Sequence, residues 1–378
     1  MIQDCDNISQ EKLSALRLIR SENLGIKTFI SLLELFGTAS RALEELPSFL
    51  QKKGVSKRIK ICSESKAFEE IEKVEKFGAQ IIYYKDNLYP ELLKLIPDYP
   101  PVITVFGTNL ELLCKKKISI VGSRNSSANS ERFSYKVSKE VGKRGYVVVS
   151  GLARGVDSYS HMGSIETGTI AVIAGGIDNI YPPENKNLYK EIAEKGLIIT
   201  ENSFGASPKS QNFPQRNRIV AGLSLATLVM EASIKSGSLI TAKFAIEQNR
   251  EVFAVPGFPL DTRHSGTNFL IKQGAYLFEK TEDIISVLDG SMVVQEELFE
   301  YKCHNDEDEA VVDEKILEKD LDKIRELILS RLSAAAVDLD DLVNNIKISR
   351  KIALLVIVEL ELEDIVQRTG NNISLVVS

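Results

Sequence analysis

The stretch Ile118-Ser119-Ile120-Val121-Gly122-Ser123-Arg124 opens the part of the sequence that decides the fold. A short run rich in β-branched residues leads through a glycine turn toward a helical stretch, and from Lys117 onward this alternation repeats. The runs are apolar on both faces, as expected of buried parallel strands with helices on each side. The sequence therefore predicts an α/β, doubly wound, Rossmann-like central domain. Its predicted strands are 118–121, 146–150, 169–174, 197–200, 226–231, 252–255 and 275–278.

The flanking regions differ from this centre. Residues 11–50 carry the pattern of several short helices, broken at 24–27 and 35–38, which is typical of a SAM-like or helix-hairpin-helix bundle. Such a bundle either contacts the DNA backbone or serves only as a packing module within the protein. Residues 55–107 are mixed in character. The acidic run at 305–309 predicts a solvated linker.

The tail carries three helix-like stretches, at 313–332, 338–345 and 349–362, followed by a predicted hairpin. This order is typical of a winged helix, whose third helix commonly faces DNA. The predicted domains are an N-terminal helical domain (1–80), an extended Rossmann-like domain (81–289), an acidic linker (290–312) and a winged-helix-like domain (313–378).

Composition excludes several protein classes. Of the 378 residues, 43% are hydrophobic and 26% charged, which is near the globular average. No apolar run reaches the roughly 18 residues of a membrane span and the first residues are polar, so we expect a cytoplasmic protein without membrane contact. The four scattered cysteines, without any Cys-x-x-Cys pair, and the three histidines predict neither a disulfide framework nor a metal site, and we expect no cofactor.

Charge is distributed unevenly along the chain. The net charge is −6, yet residues 108–289 carry 22 basic and 18 acidic side chains. Residues 290–309 carry 1 basic and 7 acidic side chains, and residues 310–378 carry 9 and 13. The average charge therefore hides a basic centre, and net charge says little about any one face.

Basic residues concentrate in the loops after the predicted strands, where an open doubly wound sheet binds its ligands. Each cation alone could simply be solvated, but eight of them at one sheet edge predict a positive surface. These cations are Arg124, Arg154, Lys186, Lys209, Arg216, Arg218, Lys235 and Arg263.

Three of these loops have the composition of anion sites. The first turn places Ser123, Ser126 and Ser127 at a predicted helix N-terminus, where free N–H groups favour an anion. The loops at 150–155 and 235–238 repeat the arrangement, with glycines that allow close backbone approach. Several phosphate-sized sites side by side predict a polymeric ligand.

Phe213 adds an aromatic ring beside Arg216 and Arg218. Base stacking on such a ring is worth about 1–3 kcal/mol and tolerates any sequence. The alternative is that Phe213 is a core contact that secures the loop.

Enzyme motifs are missing from these loops. The first turn lacks Gly-x-Gly-x-x-Gly, and neither a Walker A sequence nor a Gly-x-Ser-x-Gly elbow occurs. The alternative that stays open is an enzyme hydrolysing small nucleotides, for which Glu201 and Glu231 at strand ends are candidate residues. His161 and His264 have no evident nucleophile partner in the sequence.

Six motifs in order between residues 120 and 257 make the chain resemble the DprA/Smf (DNA processing A) family. They are Ile-Val-Gly-Ser-Arg (120–124), Ser-Gly-Leu-Ala-Arg-Gly-Val-Asp (150–157), Ala-Gly-Gly-Ile-Asp-Asn-Ile-Tyr-Pro (174–182), Phe-Pro-Gln-Arg-Asn-Arg-Ile-Val-Ala-Gly-Leu-Ser (213–224), Lys-Ser-Gly-Ser-Leu-Ile-Thr-Ala (235–242) and Val-Phe-Ala-Val-Pro-Gly (252–257).

The resemblance implies a non-enzymatic protein that binds and protects single-stranded DNA, loads the RecA recombinase during DNA uptake, and forms a homodimer through the Rossmann-like domain. The acidic tail favours a protein-interaction role for the winged helix over DNA binding. Together with Lys209, which is added from its loop position, the DNA-binding residues implied are Ser123, Arg124, Gly151, Arg154, Phe213, Arg216, Asn217, Arg218, Lys235, Ser236, Gly237 and Ser238.

Overall fold

The computed structural model describes residues 9–53, 59–290, 318–346, 348–363 and 365–376. They form two compact units, one within Glu70–Asn305 and one that joins Met1–Glu69 with Asp306–Ser378. Both ends of the chain thus belong to the same unit. The predicted boundaries at 80, 289 and 312 stay a prediction, and all but the first residue of the predicted acidic linker lies outside the described residues.

A nine-stranded sheet forms the centre of the Glu70–Asn305 unit. Its strands are β1 (Ala79–Tyr83), β2 (Val102–Phe106), β3 (Lys117–Val121), β4 (Val147–Ser150), β5 (Thr169–Val172), β6 (Leu197–Thr200), β7 (Ala226–Val229), β8 (Glu251–Ala254) and β9 (Tyr276–Leu277). The order across the sheet is β1-β2-β6-β5-β4-β3-β7-β8-β9. Strands β3 to β9 run parallel to one another. At one edge of the sheet, β2 is antiparallel to β6 and β1 is antiparallel to β2.

All seven predicted strands are confirmed, and in β3 to β8 burial on both faces explains the apolar runs, whereas Tyr276 and Leu277 of β9 are exposed. On β4, Val147 and Val149 join one core cluster while Val148 joins the cluster on the opposite face. A helix follows each parallel strand. In chain order these helices are α6 (Ala128–Lys143), α7 (Val156–Ser164), α8 (Lys186–Lys195), α9 (Asn212–Gly222), α10 (Ser238–Glu247), α11 (Ser265–Lys272) and α12 (281–290).

The two antiparallel strands come from the segment whose character was mixed in the sequence. Tyr83 ends β1, and its backbone N–H donates to Asp86 Oδ2 at 2.9 Å. Tyr89 is buried and donates its hydroxyl to the Pro100 carbonyl at 2.6 Å. The intervening chain contains the short helix α5 (Glu91–Lys94). This hairpin extends the sheet beyond β6.

The unit formed by the chain ends is mainly helical. Its N-terminal part contains α1 (Gln10–Ile19), α2 (Ile26–Phe36), α3 (Ala39–Lys53) and the start of α4 (Glu64–Lys76), as the helical prediction requires. Its C-terminal part contains α13 (Glu318–Arg331), α14 (Leu339–Ile346), α15 (Arg350–Leu362) and a sheet in the order β10 (Val337–Asp338), β12 (Asn372–Leu375), β11 (Val366–Thr369). The predicted start of the first tail helix, at 313, lies outside the described residues. Within the described ranges, no helix is long and apolar enough to cross a membrane.

Candidate functional site

A cleft opens at the carboxyl ends of the parallel strands. Strand β3 lies between β4 and β7, so the order reverses at β3, and this is where doubly wound sheets bind ligands. The cleft has a volume of about 760 Å³ and is lined by the loops after β3, β4, β5, β6 and β7 and by the first turns of α9 and α10. The cleft lies at the strand-end loops in which the sequence predicts a binding site.

Most predicted site residues are brought together here. Lys209 and Lys235 are exposed next in sequence to the lining residues Ser210 and Ser236. The predicted residues that line the cleft, or the pocket of about 200 Å³ that shares part of its lining, are Ser123, Arg124, Gly151, Arg154, Phe213, Arg216, Asn217, Ser236, Gly237 and Ser238.

Arg218 is the exception among the predicted residues. Its side chain is 4% exposed, pairs with Glu201, and has its Nε 3.4 Å from Asp98 Oδ2. The two carboxylates already compensate its charge inside the protein, as a buried cation requires. The structure therefore corrects the prediction that Arg218 contacts DNA and gives it a structural role instead.

Arg216 forms the floor of the cleft. It is 5% exposed and its Nη1 donates to the carbonyls of Gly151 and Val172. A methyl group at Gly151 would come within 2.4 Å of that Nη1, so glycine is required there. Burial lowers the pKa of Arg216 to about 10, despite the opposing attraction of Asp157. The guanidinium is therefore still charged at neutral pH.

Asp157 shapes the loop above this floor. Its Oδ2 accepts from the backbone N–H groups of Gly151 at 3.1 Å and Ala153 at 3.3 Å. Burial raises the pKa of the Asp157 carboxyl, and the neighbouring Arg216 opposes that shift. Within this loop Leu152 has a φ of 55°, a left-handed conformation that costs energy for a residue with a side chain. The loop is thus held in one defined shape.

The N-terminus of α6 already holds an anion from the protein itself. Glu231 is fully buried, and its carboxylate accepts from the Ser127 N–H at 3.2 Å, the Ser127 hydroxyl at 2.6 Å and the Ser130 hydroxyl at 2.7 Å. This carboxylate occupies the place that the sequence assigned to a phosphate beside Ser126 and Ser127. The structure corrects that assignment, and Ser123 remains in the cleft lining.

An aromatic and cationic surface lies at the cleft. The Arg124 guanidinium carbon is 5.0 Å from the centre of the Phe213 ring, and the Tyr181 ring meets Phe213 edge-on at 5.4 Å. Arg124 is exposed, Tyr181 is 44% exposed and Phe213 is half-buried. The sequence leaves two interpretations of Phe213, a base-stacking ring or a core contact, and its half-buried position favours the base-stacking ring. Tyr181 was missed, although its motif after the third predicted strand contains the only aromatic residue of that loop.

The start of α10 supplies further polar groups to the cleft. Gly237 precedes this helix, and the Ser236 hydroxyl accepts from the Ser238 N–H at 3.4 Å. Ser236 and Ser238 hydroxyls lie 2.7 Å apart, and Asn217 Nδ2 donates to the Gly237 carbonyl at 3.4 Å. A helix N-terminus with serine hydroxyls favours an anion such as a phosphate.

The candidate enzyme residues are engaged elsewhere. Glu201 pairs with Arg218, and Glu231 caps α6. His161 is buried, its Nδ1 lies 2.7 Å from Thr169 Oγ1, and burial lowers its pKa to about 3, so it is neutral at physiological pH. Among the described residues no three His, Cys, Asp or Glu side chains are grouped as metal ligands would be.

Two family models match the chain. The model described as DNA recombination-mediator protein A matches residues 80–289. The model described as a DprA-like N-terminal HHH domain matches residues 9–72, which agrees with the helical bundle observed there.

Curated proteins from several bacteria are similar over the same central region. Identity is 44% over 214 residues to the DNA processing protein DprA of Bacillus subtilis, covering 56% of this chain and 72% of that protein. It is 40% over 226 residues to Protein Smf of Synechocystis, covering 58% of this chain and 57% of the Synechocystis protein. The match thus spans little more than half of that relative.

Two solved structures are also similar. DNA processing protein A from Streptococcus pneumoniae superposes with a TM-score of 0.63 at 30% identity, over 74% of this chain and 98% of that one. The protein from Helicobacter pylori, whose structure was determined for its single-stranded DNA binding mode, gives a TM-score of 0.52 at 29% identity, over 56% of this chain and 96% of that one.

Replacing Glu231 by glutamine tests the capping role. Glu231→Gln keeps the shape but removes the charge that three donors share, so we expect the free energy of unfolding to fall by about 2 kcal/mol. Urea unfolding of the full chain measures this. The matched control is Glu247→Gln, because the Glu247 side chain is 52% exposed. Equal midpoints for Glu231→Gln and the unmodified protein would contradict the role.

Proposed function

The chain belongs to the DNA recombination-mediator protein A family, and we propose that it binds single-stranded DNA in the strand-end cleft. The observation that carries the proposal is the Arg124 guanidinium on the Phe213 ring, beside Tyr181 and within the same cleft as the serine hydroxyls at the start of α10. Aromatic faces accept any base, and cations and N–H groups accept phosphate. The combination suits a strand bound without regard to sequence.

Phosphates are accommodated on two sides of this cleft. Arg124 is exposed, and Arg154 has only a weak partner, since its Nη1 is 3.9 Å from Glu184 Oε1 and both side chains are more than half exposed. Both cations are therefore available to a phosphate chain. The start of α10 adds the hydroxyls of Ser236 and Ser238, which also line the cleft. A strand that crosses the cleft can contact both.

The family supports a wider role. We propose that the protein protects the bound strand and loads the RecA recombinase onto it during DNA uptake or recombination, inside the cytoplasm. Contacts made by exposed cations and stacked bases are salt-sensitive and individually weak, and this permits transfer of the strand to a second protein. We propose no catalytic step and no cofactor.

The C-terminal part of the chain-end unit supports a winged-helix assignment. Its element order is α13, β10, α14, α15 and the β11–β12 hairpin. That order and the antiparallel register of the hairpin are those of a winged helix. We propose this assignment.

Substituting Arg124 tests the DNA site. Arg124→Ala removes one phosphate contact and the cation that covers Phe213, so we expect affinity for a fluorescent oligothymidine to fall about fivefold or more and the salt slope to decrease by about 0.7. Fluorescence anisotropy at several salt concentrations measures both. Lys243→Ala is the control, because Lys243 lies on α10 outside the cleft lining and is 77% exposed. Unchanged affinity for Arg124→Ala would overturn the assignment.

The alternative enzyme function is tested directly. Because Glu201 and Glu231 are engaged in structural contacts, we expect no free base after incubation with nucleoside monophosphates. Chromatography detects release. Base release that is lost in Glu201→Gln would support the enzyme and contradict the binding-only role.

We propose that the homodimer uses exposed apolar side chains of the edge strand β9 and of the loop that follows its neighbour β8. Leu260 is 82% exposed and Phe258 68%, and β9 with exposed Tyr276 and Leu277 is an edge strand. Exposed apolar side chains beside an unpaired edge favour association, and the occupant proposed is a second copy.

We expect the double substitution Leu260→Glu and Leu277→Glu to convert a dimer into a monomer, because burying two carboxylates would be costly. Light scattering after size exclusion measures the mass. Leu95→Glu, at a residue that is 69% exposed in the segment between β1 and β2, should leave the dimer intact. A dimer that survives the double substitution would contradict this surface.

A further inference from the structure

The third helix of the C-terminal domain, α15, is covered by another part of the same unit. Within its own domain, Ala353, Val356 and Ile357 contribute to the local core. Val358 and Leu362 lie outside that core cluster, yet they are 0% and 3% exposed. Helix α15 also packs against α2 of the N-terminal helices. The helix is therefore buried on more than the side that faces its own domain.

Polar contacts join the same two regions. Arg368 on β11 donates from Nη1 to Glu34 Oε2 at 2.9 Å and from Nη2 to Glu34 Oε1 at 3.3 Å. Such a two-pronged pairing fixes geometry as well as charge. The Arg368 side chain is 8% exposed and that of Glu34 is 34% exposed. This ion pair is thus largely withdrawn from water and is specific to one placement of α2.

Ser31 completes the contact one turn before Glu34. It is 1% exposed, accepts from Arg368 Nη1 at 3.2 Å and donates to Glu361 Oε2 at 3.3 Å. Ser31 and Glu34 lie three residues apart on α2 and so share one face. That face meets both the end of α15 and the hairpin strand beside it.

Helix α15 carries few cations that could contact a DNA groove. Arg350 at its start pairs with Asp340, and its Nη2 donates to Asn371 Oδ1 at 3.4 Å, within the C-terminal domain. The buried side chains of α15 outside its own core cluster, Val358 and Leu362, are apolar, and the side chain that bonds to α2, Glu361, is acidic. Such a face matches a protein helix and repels phosphate.

We propose that the C-terminal domain is a docking module for the N-terminal helices of its own chain, with α2 seated on α15 and β11, and that this helix does not read duplex DNA. The N-terminal helices are its resident partner. The two ends of the chain then fold and act as one unit.

A charge swap tests the docking in the full-length protein. Glu34→Arg and Arg368→Glu each place like charges in contact, so we expect amide hydrogen exchange in residues 26–36 to become about tenfold faster or more in either variant. The double variant restores opposite charges and should recover much of the protection. Glu44→Arg makes the same charge change at an exposed position of α3 and should leave exchange in 26–36 unchanged.

Three outcomes would overturn the proposal. The first is exchange in 26–36 that neither single variant alters, which would mean that α2 is not held by this contact. The second is protection that falls on tenfold dilution, which would place α2 of a second copy on the helix. The third is a gain of tenfold or more in affinity for a fluorescent 20-base-pair duplex in either single variant, which would make α15 a covered DNA reader.

Glu34→Gln provides a milder variant should Arg368→Glu fail to fold. It removes the charge of a side chain that is one-third exposed, and a smaller but measurable increase in exchange across 26–36 is expected. Unchanged duplex affinity with faster exchange supports the docking role.

Discussion

The buried guanidinium of Arg216 is the interaction on which the cleft depends. It donates to the carbonyls of Gly151 and Val172 and so ties α9 to the ends of two neighbouring strands. A buried cation needs compensation, and Asp157 provides it while holding the loop that begins at Gly151. The Arg216 guanidinium therefore determines both the shape of that loop and the position of α9.

The spacing of residues on α9 then decides which side chains reach a ligand. Phe213, Arg216 and Asn217 lie at positions i, i+3 and i+4, so they share the face that lines the cleft. Arg218 is two residues beyond Arg216, and its side chain points to Asp98 and Glu201 instead. Two arginines that look equivalent in the sequence therefore have different surroundings and different roles.

Much of the fold was predictable because its cause is local. Strands β3 to β8 are buried on both faces and so carry recognisable apolar runs, and each parallel strand is followed by a helix. Strands β1 and β2 were missed because one hairpin at a sheet edge leaves a weaker pattern. The anion at α6 was misassigned because Glu231 lies 104 residues from Ser127, a distance no local motif spans. Tyr181 was missed for a related reason, since its contact with Phe213 joins two loops.

The distribution of charge connects these observations to the two compact units. Glu231 satisfies the helix N-terminus of α6 from within, which leaves Arg124, Arg154 and the start of α10 as the groups that an external phosphate meets. In the chain-end unit, by contrast, Arg350 and Arg368 are paired with Asp340 and Glu34. Arg325 is likewise held by Glu359 and Glu363. Cations that are paired inside a domain attract little external phosphate, whereas exposed cations at the cleft create a local positive field. The net negative charge of the whole chain therefore does not oppose DNA binding at the cleft.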